Sequence, residues 1–297
     1  MKCGEYLTGV RAESDKALLP YFTLGYKITP SNSLRFTYSS SVIRPSMYAL
    51  NSFVYYNGPF SVSKGNPDLT PEFSYSLSLE HSVQFRNNFL ATKLFYEFRT
   101  DVIENMSFLR DGTIVESQVQ NLGSVLKRGV QLAGSVRFGN VSLNHSMRLY
   151  NQTTKGNSLA QEFGIKESSR MVFECDLSSV ISFENNYALA FLLQYGSAKN
   201  NIQNNVFSDA LYFISFDKTF KNNIKAGVVS ALPFVRSFLY QGSDTNAPNF
   251  SASYTGNLQL PAIPIMLRLS YQFSSGSSRG FTNRSKGDLD KRSKPGL

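Results

Sequence analysis

Phe73-Ser74-Tyr75-Ser76-Leu77-Ser78-Leu79-Glu80-His81-Ser82-Val83-Gln84-Phe85 is the stretch that decides the fold class. Successive side chains of a strand point to opposite faces. The odd positions therefore make one face of Phe73, Tyr75, Leu77, Leu79, His81, Val83 and Phe85, and the even positions make another of Ser74, Ser76, Ser78, Glu80, Ser82 and Gln84. A helix would scatter this order, because its apolar stripe recurs every three or four residues. The run is also longer than the ordinary globular strand of about five or six residues.

The same period returns along the chain. Ile265, Leu267, Leu269, Tyr271 and Phe273 alternate with Met266, Arg268, Ser270 and Gln272, and Val130, Leu132, Gly134, Val136 and Phe138 run through Gly139-Asn140 into Val141, Leu143, His145, Met147 and Leu149. Gly-Asn is a favoured hairpin connection, because both central residues of a tight turn take positive φ. Twelve strands are predicted, at 6–13, 21–29, 34–43, 73–85, 88–100, 124–138, 141–150, 169–183, 187–197, 206–219, 224–233 and 265–273. Short links at Pro30 to Ser33, Arg86-Asn87, Gly139-Asn140, Glu184 to Asn186 and Phe220 to Asn223 interleave with longer ones at 44–72, 101–123, 151–168, 198–205 and 234–264. Asn249 to Leu260 also reads as extended chain; counting it as a local extension inside a long external excursion keeps Ile265 to Phe273 running toward the short-turn side.

Long strands with short turns at one end and long loops at the other predict a transmembrane β-barrel, all-β and antiparallel. A soluble sandwich or barrel with one wet face, binding through its loops, shares the alternation. Against it stand the strand lengths, the asymmetric connections and the aromatic residues near strand ends, at Tyr21, Phe85, Phe89, Phe138, Tyr150, Phe183, Tyr187, Tyr195 and Phe273, where interfacial girdles would place them. Charged residues make up only 17% of the chain, beside 16 Tyr and 24 Phe. Arg35, Lys93, Arg137, Arg148 and Arg268 all alternate out of the apolar set, so none of them needs to face acyl chains.

The formal charge of +9 raises the question of nucleic acid, but the excess is divided. Residues 274–297, a Ser/Gly-rich stretch read as a polar basic tail after a barrel portion at 1–273, hold Arg279, Arg284, Lys286, Lys291, Arg292 and Lys294 against Asp288 and Asp290. The remainder is scattered, and no nucleic-acid partner is expected. Cys3 and Cys175 offer no disulfide framework; Cys175 sits in an alternating strand as a small packed side chain. Met1-Lys2-Cys3-Gly4-Glu5 shows no apolar export signal, so the sequence is expected to be a fragment of an exported protein.

No enzyme is expected. His81 and His145, the only histidines, fall with the apolar sets, away from any base–nucleophile pairing. No Walker loop, dinucleotide fingerprint or Cys/His spacing appears, so no cofactor and no metal is predicted. Asp101, Glu104, Asp111 and Glu116 cluster in the 101–123 loop around an Arg110-Asp111-Gly112-Thr113 tip, and a solvated external hairpin accounts for them better than a cation site.

Arg44-Pro45-Ser46-Met47-Tyr48-Ala49-Leu50-Asn51-Ser52-Phe53, followed by Gly65-Asn66-Pro67-Asp68-Leu69-Thr70-Pro71-Glu72, resembles the barrel of TonB-dependent outer-membrane receptors, especially the type common in Bacteroidota. Arg44, Pro45, Gly65, Asn66, Pro67, Leu69, Pro71 and Glu72 are read as structural motif residues. A Gly/Asn/Pro loop would return the chain to the membrane, with Pro71 ending irregular backbone before the next strand. Leu7-Thr8-Gly9-Val10-Arg11-Ala12-Glu13 resembles the strand preceding that region, and Leu267 to Phe273 resembles the closing strand.

The resemblance implies the second half of a 22-stranded barrel in the bacterial outer membrane. It would form the C-terminal wall of a receptor that imports a small ligand with the help of a periplasmic energy-coupling protein, acting through a plug domain that this sequence does not contain. A self-contained twelve-stranded passive channel is the alternative, and it would need 6–13 to pair with 265–273. Tyr48, Phe53, Tyr55, Tyr56, Arg110 and Tyr240 lie in the long loops, suited either to a sugar, siderophore or peptide or to packing loop on loop; the sequence assigns no ligand-binding residue.

Overall fold

The computed structural model describes residues 17–273 apart from 248 and 249. Nineteen strands are present among them, in chain order β1 (Tyr21–Thr29), β2 (Asn32–Ile43), β3 (Val54–Gly58), β4 (Ser61–Lys64), β5 (Glu72–Phe85), β6 (Asn88–Thr100), β7 (Ile103–Arg110), β8 (Ile114–Asn121), β9 (Gly123–Phe138), β10 (Val141–Gly156), β11 (Ser168–Ser182), β12 (Tyr187–Gly196), β13 (Lys199–Asn200), β14 (Asn204–Phe207), β15 (Leu211–Thr219), β16 (Ile224–Ala231), β17 (Ser237–Ala247), β18 (Phe250–Gln259) and β19 (Ile265–Tyr271). Two short helices, α1 (Met47–Leu50) and α2 (Ser158–Glu162), interrupt the loops.

Eleven strands form one antiparallel wall in the order β1-β2-β5-β6-β9-β10-β11-β12-β15-β16-β19. These correspond to eleven of the twelve strands predicted; the twelfth, at 6–13, lies outside the described residues, as do Cys3 and 274–297. The tight ends of the wall are Pro30-Ser31, Arg86-Asn87, Gly139-Asn140 and two 3-10 turns, Glu184–Asn186 and Lys221–Asn223. Positive φ at Arg86, Gly139, Asn185, Asn186 and Asn223 gives these turns the twist that joins antiparallel strands.

At the opposite end the long connections fold on themselves. β3-β4-β8-β7 and β13-β14-β17-β18 are separate four-stranded sheets. The 234–264 excursion is the β17–β18 hairpin, and it leaves β16 and β19 paired side by side. The predicted strand 206–219 is broken: the chain leaves the wall at Ser208-Asp209-Ala210, where the Asp209 amide donates to the Leu239 carbonyl at 2.9 Å and its Oδ2 accepts from the Leu239 amide at 2.9 Å.

The wall inverts the burial of a water-soluble sheet. In β5 the apolar Tyr75, Leu77 and Leu79 are exposed, whereas the alternating Ser74, Ser76, Ser78 and Glu80 are half-buried. Outward Leu94, Phe138, Leu267 and Leu269 are exposed by 55%, 85%, 86% and 78%. A soluble protein does not present so continuous an apolar surface, which marks a lipid-facing band. On β10 that band runs from Val141 to Leu149; above it the outward positions become Asn151, Thr153 and, on β9, Arg128. Nine residues of strand span roughly 27 Å before tilt, the scale of an outer-membrane apolar band.

The apolar core lies among the loops instead. Val102, Met106, Leu122, Val125, Ala160, Ile165 and Ile202 are buried together, with Phe108, Leu159 and Phe163 packed against them. Here the solvated hairpin expected at 101–123 is corrected. Its tip, Arg110 to Thr113, is exposed, but its roots, Val102 and Leu122, are fully buried and Glu116 is 2% exposed, because the base of the hairpin packs into the loop core.

Candidate functional site

Register fixes which side chains share the inner face. Arg35, Glu80, Lys93, Gln131, Arg148 and Glu174 follow one another across six neighbouring strands at one level. Within it Arg148 bridges Glu174 at 3.5 Å and reaches up to Glu97 at 3.1 Å, and Lys199 reaches Glu174 at 2.5 Å. Phe95 and Tyr150 pack edge to face at 5.9 Å, and the Arg148 guanidinium lies over both rings at 4.5 and 5.3 Å.

Tyr150 corrects an expectation. It is 1% exposed on the inner face, and its hydroxyl donates to Glu174 at 3.1 Å, so it is not part of an interfacial girdle. Its even position on β10 puts it with Arg148, not with Leu149. Phe89 is corrected likewise, sharing the inner face with Ala91, Lys93 and Phe95. Tyr21 is corrected too, since it pairs with Ser39, which pairs with inner-face Ser76. Phe85, Phe138, Phe183, Tyr195 and Phe273 are exposed.

The segment after β12 folds back over the inner face. Gln152 donates to the Asn200 carbonyl at 2.5 Å, and the Asn200 side-chain Nδ2 donates to the Ser168 hydroxyl at 2.6 Å. Glu174, Asp176, Gln194, Lys199, Asp209 and Tyr240 then line an open cleft of about 540 Å³ between the wall and the β17 hairpin. Carboxylates, an ammonium, an amide and a phenol can hold a polar ligand by hydrogen bonds and charge. His81 and His145 belong by register to the outward face, away from this cleft. Alternation separates inward from outward residues, but it gave no signal for this cleft, which depends on where a loop comes to rest.

The motif residues sit beside the loop core. Gly65 and Asn66 are buried; the Gly65 amide donates to the Asn51 carbonyl at 3.0 Å and the Asn66 amide to the Ala49 carbonyl at 2.7 Å. The Asn66 side chain donates to Gln120 at 2.8 Å and accepts from the Asp68 amide at 2.9 Å, closing the turn that contains exposed Pro67. Leu69 is buried. Thr70 and Asn121 exchange hydrogen bonds of 2.9 and 3.0 Å just before half-buried Pro71. Glu72, 2% exposed, accepts from Arg99 Nε at 2.6 Å and from the Ile103 amide at 3.1 Å. Arg44 and Pro45 precede Ser46, whose hydroxyl caps α1 by accepting from the Ala49 amide at 3.1 Å.

The loop carboxylates do not converge. Glu116 pairs with Lys64 at 2.6 Å and Arg110 at 2.7 Å, while Glu104 accepts from the Ile202 amide at 2.9 Å. Burial raises the Glu104 carboxyl above its ordinary range, against the lowering effects of the Ile202 amide and Arg99. The Tyr240 phenol is pushed up by its hydrogen bond with Tyr254. Of the loop aromatics, Tyr48 stacks on Tyr55 at 5.6 Å and Phe53 meets Tyr55 edge-on at 5.4 Å, with Tyr48, Phe53 and Tyr56 largely exposed.

An apolar-out, polar-in wall under a folded loop layer is the architecture of an outer-membrane barrel, and a family model described as the outer membrane protein beta-barrel family matches residues 10–271. The chain belongs to that family. As a member of it, this outer-membrane β-barrel protein is placed in the bacterial outer membrane, in contact with its lipid. A search of curated proteins finds none significantly similar to it.

Among solved structures, the barrel resembles the copper transporter OprC, with a TM-score of 0.54 at 13% identity, covering 80% of this chain and 38% of that one. It also resembles the ferric enterobactin receptor PfeA of Pseudomonas aeruginosa, a mutant in complex with enterobactin, with a TM-score of 0.54 at 13% identity over 75% of this chain and 36% of that one. For the siderophore receptor PirA of Acinetobacter baumannii the TM-score is 0.50 at 14% identity, over 74% and 37%. At these identities the likeness establishes the fold. The resemblance read from the motifs holds at that level, and the chain spans less than two-fifths of the length of these structures.

Proposed function

We propose that this outer-membrane β-barrel protein is the C-terminal wall of a TonB-dependent receptor that imports a small ligand. One observation carries the reading: an inner face of charged and polar residues, roofed by folded loops that leave a polar cleft of about 540 Å³ at its mouth. Recognition in such a site is by convergent polar groups in a concavity. The related folds include two receptors and a transporter, each more than twice as long as the part this chain covers. On this reading the wall belongs to a 22-stranded barrel, the ligand meets the external loops and a plug, and a periplasmic energy-coupling protein acts through that plug.

A specific observation favours keeping a second reading. β1 and β19 end the wall with no further strand partner among the described residues. If 6–13 paired with β19 the wall could close on itself as a passive channel. Conductance of the full chain in planar bilayers tests the choice. A receptor wall is expected to give no lasting pore without the rest of the barrel; steady, ligand-independent conductance would overturn the receptor reading in favour of the channel. A plug domain and an export signal encoded in frame upstream of Met1 would support active import.

A further inference from the structure

The outward face of the wall is apolar except at a few places. Among the described wall strands its charged residues are Arg128 and Lys155, both above the apolar band, and Lys218 at the opposite, short-turn end. Lys218 stands across from Tyr187 in the β12–β15 pair. Its ammonium donates to the Tyr187 hydroxyl at 2.8 Å and lies 4.4 Å from the Tyr187 ring centroid and 5.3 Å from that of Phe220. Tyr187 is itself stacked on Phe216 at 5.5 Å. No carboxylate of the described residues pairs with Lys218; Asp217, its neighbour, points to the inner face, where it binds Arg268.

A cation facing lipid is tolerated near the interface and costly at midplane, and aromatic rings hold it there by cation–π attraction. Phe183, Phe216 and Phe220 are exposed around it, offering apolar surface to acyl chains directly beside one unneutralised charge. In bacterial outer-membrane barrels the short turns face the periplasm, so the lipid adjoining this patch is the inner leaflet. We infer that Lys218, clamped by Tyr187 and Phe220, is a binding site for the phosphate of an anionic phospholipid of that leaflet. The site depends on membrane insertion and not on whether the barrel is a receptor or a channel. Its ligand carries a phosphate uncompensated by an ammonium, as in phosphatidylglycerol.

The chain contains no Trp, so Phe183→Trp places a single fluorescent reporter beside the site. The full chain carrying it is reconstituted in phosphatidylcholine bilayers containing equal small fractions of either brominated phosphatidylglycerol or brominated phosphatidylcholine. Roughly five-fold local enrichment of the anionic lipid is expected from one favourable lysine contact, read as stronger quenching by brominated phosphatidylglycerol. Phe138→Trp, at the same end but away from Lys218, is expected to show no such preference. Lys218→Gln, which keeps a donor for Tyr187 but removes the charge, is expected to abolish the preference at position 183 while quenching by brominated phosphatidylcholine persists. Equal quenching by both lipids, or a preference that survives Lys218→Gln, would overturn the headgroup site. Quenching by neither lipid would instead overturn the membrane placement on which it rests.

Discussion

Gly65 has no room for a side chain: an added Cβ would run into the carbonyl oxygens of Ala49 and Asn51, the latter at 2.5 Å. Backbone must move to admit even a methyl group, at a cost of about 1–3 kcal/mol. Gly65→Ala is therefore expected to loosen the 44–72 loop and expose the bond after Lys64 to trypsin; cleavage no faster than in the parent protein would show that the close approach is dispensable. Glu104 gives a pH dependence whose sign follows from its burial. Its folded pKa lies above the ordinary 4.5, so the folded state holds the proton more tightly than the unfolded chain. That stability is complete below the unfolded pKa and declines as pH rises through the folded one. Thermal unfolding in detergent should show the decline on raising the pH from about 4 toward neutrality, anchored on that reference value. Glu104→Gln, which keeps an acceptor for the Ile202 amide, should flatten it, and an unchanged slope would assign the effect elsewhere. Neither residue's role could be read from neighbours in sequence, because Ala49 and Ile202 reach them only through loop packing.

At the scale of elements, the wall strands were legible because period-2 alternation is local and each face has a different solvent. Leu94 on β6 illustrates it: the residue points outward and is 55% exposed, while adjacent Lys93 points inward. Leu94→Arg is expected to destabilise the inserted protein by about 2–4 kcal/mol if the position lies near midplane, measured by denaturant titration in phosphatidylcholine vesicles. Arginine placed at Lys93 should cost little, and equal effects at the two positions would contradict the register. The loop elements were less legible. β7 and β8 were expected as a solvated hairpin, yet Ser107 and Gln203 exchange hydrogen bonds of 2.8 and 2.7 Å across 96 residues of sequence. Gln203→Ala should therefore raise amide exchange at Ser107 and in β7 together, whereas an effect confined to 199–205 would separate the two loops. The break between β14 and β15 was hidden for a similar reason: Ser208-Asp209-Ala210 leaves the wall to bond Leu239, a partner far along the chain.

For the whole molecule, the two edges of the wall that have no further strand partner among the described residues dominate the energetics. In lipid each unpaired backbone group costs several kcal/mol, so β1 and β19 need partners wherever the chain is inserted. Amides along both strands are expected to exchange faster than those of β9 and β10 when the chain is inserted alone, and to become protected when further wall strands complete the barrel; equal protection in the chain alone would mean that it closes on itself. The sequence by itself determined the all-β class, the existence and order of eleven wall strands though not the break at 208–210 or the extension of β10 to Gly156, which end bears the short turns, and which charged residues avoid lipid. Each of these follows from interactions between residues two to four apart or between a side chain and its solvent. Only the tertiary structure decided that the loops carry the apolar core and that a polar cleft opens above Glu174. It also decided that Lys218 rests against Tyr187 and Phe220. Those outcomes depend on strand register and on where distant loops come to rest, and no local period encodes either.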